Sequence, residues 1–341
     1  MKRTYKLLVI FSLALIIIFF GKINIQFGLP NEAVYAEKQF VKNLNNLQNI
    51  TGQIFISPSN NLQNIIIKKY QETQKKFLLR IYEFTNKEIK KTVKDLADKG
   101  LDIRIIIENN KYQQYSNTLT VLKKYFTANK NVQLKSDKQM KTEYVHAKTT
   151  ILDSGFIIQT ANLTKTAFNS NREYFFRSSD TGVLGSLNKL YQKDWNGEKI
   201  LSSDIHPNLV VCNINCRAVI EYLLKNAKKS INIQNQYIND ENILNILKTK
   251  TKLDLKMIVA DTSDNDYLTS YFGSVYARIF KKYYNHAKIM LIDDNILLLG
   301  SMNFSSNSLD KNREIGILLI DQNLIKVFKN QFDNDRINTK K

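Results

Sequence analysis

The same string of residues occurs twice in this chain, 140 positions apart, and that duplication limits the possible folds more than any other feature. The first copy reads His146-Ala-Lys148-Thr-Thr-Ile-Leu-Asp153, then Thr160-Ala-Asn162, then Asn171-Arg172-Glu173. The second reads His286-Ala-Lys288-Ile-Met-Leu-Ile-Asp293, then Gly300-Ser301-Met-Asn303, then Asn312-Arg313-Glu314. From Asn162 to Glu173 is eleven residues, and from Asn303 to Glu314 is eleven again.

The apolar periodicity around both copies runs in the same order. In the first half the pattern predicts a helix over 64–76, a strand over 77–84, a helix over 86–97 ended by Gly100, and a strand over 101–107. A helix over 118–128 follows, then strands over 145–152 and 156–163 joined by Asp153-Ser154-Gly155, a strand over 172–177 and a helix over 183–195. The second half predicts a helix over 217–229, a strand over 231–238, a helix capped by Asp240, and a strand over 253–260. It continues with a helix over 271–282, strands over 286–292, 296–304 and 314–320, and a last helix capped by Asp321. Strands alternating with helices indicate an α/β fold. The expectation is two related half-domains, 37–196 and 208–341, about a pseudo-twofold axis, joined by the polar stretch 196–207. Each half would hold a mixed central sheet flanked by helices, with a single active site between them.

The spacing has a chemical sense. Residues i and i+2 on a strand share a face. His146 and Lys148, and likewise His286 and Lys288, therefore emerge side by side, while Ala147 and Ala287 face the other way. The hairpin turn returns Asn162 and Asn303 toward the same sheet end. Glu173 or Glu314 on the next strand is then placed to orient an imidazole. Two such strands facing each other put two histidines, two lysines and two asparagines in one pocket. That set suits phosphodiester cleavage: one imidazole attacks phosphorus, and the other protonates the leaving oxygen and then activates water or an alcohol. Lysines and amides hold the non-bridging oxygens, so no metal or other cofactor is called for.

His-x-Lys-x4-Asp followed by Gly-Ser-x-Asn resembles the signature of the phospholipase D superfamily, which includes phospholipases D, cardiolipin synthases and metal-independent nucleases. The resemblance covers most of residues 50–335 as two copies of the family's half-domain. It implies His146 as nucleophile and His286 as acid, Glu173 and Glu314 as their orienting groups, and Asn162, Asn303, Thr160 and Ser301 on the phosphate. Asp153 and Asp293 are implied to be structural, in keeping with their seats in turns. The first copy departs from the pattern: Gln159-Thr160 stands for Gly-Ser, and one residue is missing between Asp153 and Asn162. A side chain at Gln159 is expected to narrow the pocket where glycine would let backbone approach phosphate. It leaves open which histidine attacks.

Other features bear on the partner. The formal charge is +19, from 50 basic and 31 acidic residues, and lysine supplies 41 of the 50. This favours an anionic partner such as nucleic acid, a membrane surface or a phosphorylated substrate, although lysine does not read base edges; coding bias is the competing explanation. Met1-Lys2-Arg3 and Lys6 precede an apolar run over 7–21 closed by Lys22, and Val34-Tyr35-Ala36 offers a cleavage site. Residues 1–36 therefore read as a signal peptide or a membrane anchor, with the body exported or held outside the cytoplasm. Cys212 and Cys216 are expected either to form a disulfide or to remain two thiols. Tyr82-Glu83-Phe84 and Gln236-Tyr237 fall at matching strand ends, as substrate entrance or rim packing. Lys123-Lys124-Tyr125 and Lys281-Lys282-Tyr283 read as solvated faces rather than a nucleic-acid groove, and His206 as an exposed loop residue.

The functional expectation is a monomeric phosphodiesterase of the phospholipase D type, acting on phosphatidyl groups at a membrane. An exported metal-independent endonuclease is the alternative, and an inactive binding protein on the same scaffold is the third reading. An apolar channel to the histidines would favour lipid; a long basic groove would favour nucleic acid.

Overall fold

The computed structural model describes residues 44–109, 118–140 and 142–340. The apolar run expected to export or anchor the chain lies outside the described residues. Among the described residues no helix is long and apolar enough to cross a membrane.

The first half contributes β1 (Gln53–Ser57), β2 (Lys76–Ile81), β3 (Asp102–Ile107), β4 (Val132–Ser136), β5 (Thr149–Leu152), β6 (Gly155–Gln159) and β7 (Asn171–Ser178). The second contributes β8 (Leu209–Val211), β9 (Ser230–Asn235), β10 (Asp254–Ala260), β11 (Ala277–Phe280), β12 (Tyr284–Asn285), β13 (Lys288–Ile292), β14 (Ile296–Gly300), β15 (Ile315–Leu319) and β16 (Thr339–Lys340). One sheet runs β1-β7-β6-β5-β2-β3-β4 and the other β8-β15-β14-β13-β9-β10-β11-β16, so the first seven strands of the second match those of the first and β16 is added at the edge. Both sheets are mixed: β2-β3-β4 and β9-β10-β11 are parallel, and the hairpin strands are antiparallel. The fold is α/β in two mixed sheets flanked by helices.

Helix starts follow local chemistry. Asn86, Asp180, Asp240 and Asp321 each accept a backbone N–H of the first turn. The helix Thr181–Asn196 stops at Gly197, whose φ of 73° is left-handed. The expected helix over 271–282 is corrected. A helix spans Asp266–Phe272, Gly273 ends it at φ 78°, and β11 follows, with Ala277 paired to Met257 of β10. Val275, Tyr276, Ile279 and Phe280 suit a strand, Gly273 at positive φ stops the helix, and β10 offers a parallel partner. The five-residue strands β1 and β4 are not among the expected elements, and the strand expected from 145 begins at Thr149.

The halves share one core. Ile158, Tyr174 and Phe176 of the first sheet cluster with Leu299, Ile317 and Phe328 of the second half. Two buried ion clusters cross the same boundary in mirrored fashion. Arg172 pairs with Asp335 at 2.7 and 2.8 Å, and Arg313 with Asp194 at 3.2 Å. Asp194 also accepts from Arg80 at 2.9 Å, and Asp335 accepts from Gln234 at 2.9 Å, the matching position on β9. Arg172 donates to the Ser57 carbonyl and Arg313 to that of Cys212, so even the backbone acceptors correspond. Cys212 and Cys216 are joined in a disulfide.

Asp153 and Asp293 sit in the hairpin turns and reach to the chain entering β2 and β9. Asp153 accepts from the N–H groups of Gln74, Lys75 and Lys76, and Asp293 from those of Lys228, Lys229 and Ser230. Partial burial raises both carboxyls, but these bonds outweigh it and hold them below the usual range. Their contribution is therefore present above about pH 4 and is lost as pH falls through the depressed values. Asp153→Asn or Asp293→Asn is expected to lower stability by about 1–2 kcal/mol at pH 7 in urea titrations, with the gap closing in acid. An unchanged gap at pH 2 would contradict this role.

Candidate functional site

The backbone of His146 and of His286 is tied to the opposite half of the molecule. The N–H groups of His146 and Ala147 both donate to the Arg313 carbonyl, at 3.0 and 2.7 Å. The His286 N–H donates to the Arg172 carbonyl at 3.1 Å, where β12 pairs with β7. Each histidine segment thus lies along the other half's Asn-Arg-Glu strand. The carboxylates follow: Glu314 reaches His146 Nδ1 at 2.8 and 2.9 Å, and Glu173 lies 2.7 Å from His286 Nδ1. Glu173 and Glu314 were expected beside the imidazoles without a stated pairing; each meets the histidine of the opposite half.

The two contacts differ in quality. Glu314 takes His146 Nδ1 on both oxygens. The Glu173 contact is close but off the ring N–H direction, and His286 Nδ1 makes no directed hydrogen bond. Each carboxylate is itself held. Thr160 Oγ1 donates to Glu173 at 2.6 Å, and Ser308 Oγ to Glu314 at 2.5 Å. A carboxylate on Nδ1–H leaves the Nε2 lone pair free.

Thr160 and Ser301, expected on the phosphate, are fully buried behind the histidines. Thr160 Oγ1 accepts from the Tyr174 N–H and Ser301 Oγ from that of Ile315, so they brace the glutamate strands. Gln159 does not narrow the cleft. It is buried and donates to the Ala161 carbonyl at 2.9 Å. Its counterpart Gly300 serves the neighbouring strand: an added Cβ would stand 2.6 Å from Gly316 Cα and 2.8 Å from the Ile315 carbonyl. The residue missing from the first copy falls in the turn. Leu152 pairs with Gly155 there, whereas Ile292 pairs with Ile296. Asn162 and Asn303 consequently arrive at equivalent places.

Both histidines and both asparagines open into one cleft of about 340 Å³. The His146 and His286 side chains are 15% and 11% exposed, so one edge of each ring meets the cleft. Asn162 Oδ1 and Asn303 Oδ1 are buried without a partner among the described residues. Lys148 and Lys288 lie beneath, each donating to its own histidine's carbonyl at 2.7 Å, and Lys288 also to Gln236 Oε1 at 2.9 Å. Ala147 and Ala287 are fully buried on the other face.

Tyr82 and Tyr237, flagged at matching strand ends, do line the cleft; Glu83 sits behind with its carboxyl pushed up by burial. Tyr144 and Tyr284 were missed, although a tyrosine two residues before each histidine is visible in both copies. Tyr144 lines the cleft, and Tyr284 stacks on His286 with ring centroids 6.3 Å apart. His206 lies outside the site and accepts from the Asn208 N–H.

Burial dominates the electrostatics. It lowers His146 and pushes His286 down to about 4, against the pull of the glutamates. It lowers Lys148 to about 8 and Lys288 well below the usual lysine range. Burial pushes Glu314 up, but His146 and Lys148 beside it outweigh that and keep it ionised. The free site therefore holds two neutral imidazoles above a poised cationic floor, which an anion entering the cleft would restore to full charge.

A family model described as "Cardiolipin synthase, PLD-like domain" matches residues 66–195 and 220–336. Cardiolipin synthase 1 of Bacillus anthracis is 29% identical over 127 residues, covering 33% of this chain and 25% of that protein. Cardiolipin synthase 1 of Staphylococcus epidermidis is 27% identical over 132 residues, covering 34% and 27%. The chain thus spans about a quarter of the length of the curated relatives it matches. Among solved structures, phosphatidylserine synthase of Haemophilus influenzae superposes with a TM-score of 0.67 at 15% identity, over 89% of this chain and 91% of that one. Polyphosphate kinase of Porphyromonas gingivalis gives 0.63 at 12%, over 83% and 50%. At these identities the two structures share the fold.

Proposed function

The chain belongs to the phospholipase D superfamily, within the family of cardiolipin synthase PLD-like domains, and from that premise we propose that it transfers or hydrolyses phosphatidyl groups through a phospho-histidine. One observation carries the proposal: two imidazoles from distant parts of the chain, each beside a carboxylate of the opposite half, share a single cleft. The cleft's size fits a phosphodiester headgroup, with the acyl chains left outside.

His146 is assigned as nucleophile because Glu314 holds its Nδ1–H on both oxygens and so directs Nε2 at phosphorus. The N–P bond forms as the P–O bond to the leaving alcohol breaks, and His286, protonated, gives its proton to that oxygen. His286 then takes a proton from water or an acceptor alcohol, whose oxygen displaces His146 from phosphorus. Lys148 and Lys288 hold the charge on the non-bridging oxygens, and the asparagine amides complete the cradle. Residues 7–21 are proposed to bring the enzyme to a bilayer, where tyrosines at the cleft meet the headgroup region.

Because His286 is neutral above about pH 4 in the free site, its working proton enters with the anionic substrate. Binding of a phosphodiester at pH 6.5 is expected to take up at least one proton, seen as a calorimetric enthalpy that changes with buffer ionisation heat. A buffer-independent enthalpy would contradict the assignment. The reading is tested by incubating the purified protein in EDTA with a labelled phospholipid and, separately, plasmid DNA. Lipid turnover lost in His146→Ala and His286→Ala is the expected result. DNA nicking without lipid turnover would replace it with the nuclease reading, and no turnover of either would leave a binding protein.

A further inference from the structure

The pseudo-twofold axis makes a comparison possible away from the catalytic cleft. Each half carries a second groove on the same face, between the helix after its first strand, the helix capped by Asn86 or Asp240, and the short helix following the cleft asparagine. In the first half it measures about 590 Å³, larger than the catalytic cleft. In the second it measures about 470 Å³. Position within matching helices makes Gln63, Asn86 and Asn169 the counterparts of Arg217, Asp240 and Asp310.

In the second-half groove the charged groups of Arg217, Asp240 and Asp310 are paired with one another. Arg217 donates to Asp240 at 2.7 Å and to Asp310 at 2.6 Å, and also pairs with Glu221. In the first half that ion cluster is absent, replaced by neutral amides. Asn86 still caps its helix and donates to Gln63 Oε1 at 2.8 Å, but Asn169 makes no side-chain hydrogen bond among the described residues. Where the second half has Glu241 and Ser306, the first has Lys87 and Lys165. Among the described residues neither lysine has an ion-pair partner, and one carboxylate, Glu88, stands at the rim.

The groove adjoins the catalytic cleft. Tyr82 and Asn162 line the cleft, Thr85 and Lys165 line the groove, and the wall between is the Thr85 and Asn86 N–H groups bonded to the Leu163 carbonyl at 3.0 and 2.9 Å. The Asn169 side chain and the Gln63 Nε2 group, which make no other hydrogen bond among the described residues, suit hydroxyls, and two lysines without an ion-pair partner suit a phosphate.

We propose that the first-half groove at Gln63, Asn169, Lys87 and Lys165 is a second binding site, for a polyol bearing a phosphate. Such a ligand is either the headgroup of an anionic glycerophospholipid or a free glycerophosphate. The site is distinct from the cleft and binds without turnover.

The test uses the full-length protein, with sn-glycerol 1-phosphate and, separately, vesicles of phosphatidylglycerol or phosphatidylcholine. The variant Gln63→Arg/Asn86→Asp/Asn169→Asp rebuilds the second half's ion cluster in the first and keeps the helix cap, since aspartate caps there in the other half. The wild type is expected to show hydrogen-exchange protection over 59–64, 85–88 and 165–169 on adding glycerophosphate or phosphatidylglycerol vesicles. The triple variant should lose that protection and bind at least tenfold more weakly, while protection around His146 and His286 persists. Protection by vesicles alone assigns the lipid source; protection by the soluble compound assigns the free one. Lys87→Gln/Lys165→Gln, which leaves the packing alone, should weaken binding in the same direction and serves if the triple variant misfolds. No protection of these segments by either ligand, or equal protection in wild type and variants, overturns the assignment. Phospholipid turnover measured in parallel reports on the cleft separately.

Discussion

His146→Ala and His286→Ala are each expected to slow phosphodiester turnover by about 10⁴-fold, and the double variant by little more than either alone. Non-additivity follows from the geometry: the two rings serve one phosphorus atom in one cleft, so losing either idles the other. The two variants separate on an activated substrate whose leaving group needs no proton. There, His286→Ala should still release about one equivalent of leaving group and accumulate a covalent adduct, with the phosphatidyl group on His146. His146→Ala should give neither. The reverse outcome would exchange the two roles. Glu314→Gln should cost more than Glu173→Gln, about 10²-fold, because Glu314 alone grips its imidazole on both oxygens. The pH profile adds an independent check. Lys148, lowered to about 8 by burial, attracts phosphate while protonated, so kcat/KM should fall as pH rises through about 8. Lys148→Met should remove that alkaline limb along with most of the activity.

Much of this site was legible because its chemistry is carried by alternation on short strands. Residues i and i+2 share a face whatever the fold, so His146 with Lys148 and Ala147 turned away followed from the letters alone. The duplicated order of elements likewise gave two matching sheets. What the letters could not give was partnership across the axis. Glu173 is thirteen residues from Thr160 and 113 from His286, yet it touches both. Tertiary docking chooses between equivalent carboxylates, and a repeat supplies two of everything. The same limit explains Thr160 and Ser301. Hydroxyls near a phosphate site invite a binding role, but these lie on the strand behind the rings and bond to Glu173 and the Ile315 backbone. Gln159 shows the converse, since its glycine counterpart answers to Gly316 on the neighbouring strand.

Docking also places charge where a sequence gives no warning, and Asp194 is the position where its loss should be felt most. Asp194 is 2% exposed and accepts from Arg80 of its own half and Arg313 of the other. Arg80 is fully buried, with burial pulling against its charge, and one of its terminal nitrogens already lacks a partner. Asp194→Ala strands two guanidiniums that cannot shed their protons, whereas Asp335→Ala strands Arg172 and leaves the neutral Gln234. Breaking a buried pair costs about 3–5 kcal/mol. The expected losses are therefore about 5 kcal/mol for Asp194→Ala and about 3 for Asp335→Ala, read as midpoint shifts in guanidinium denaturation. Arg313 and Arg172 each precede the glutamate that faces a histidine, so both variants should also lose activity at temperatures where they remain folded. Equal stabilities for the two variants would mean that Asp194 effectively holds one arginine, not two.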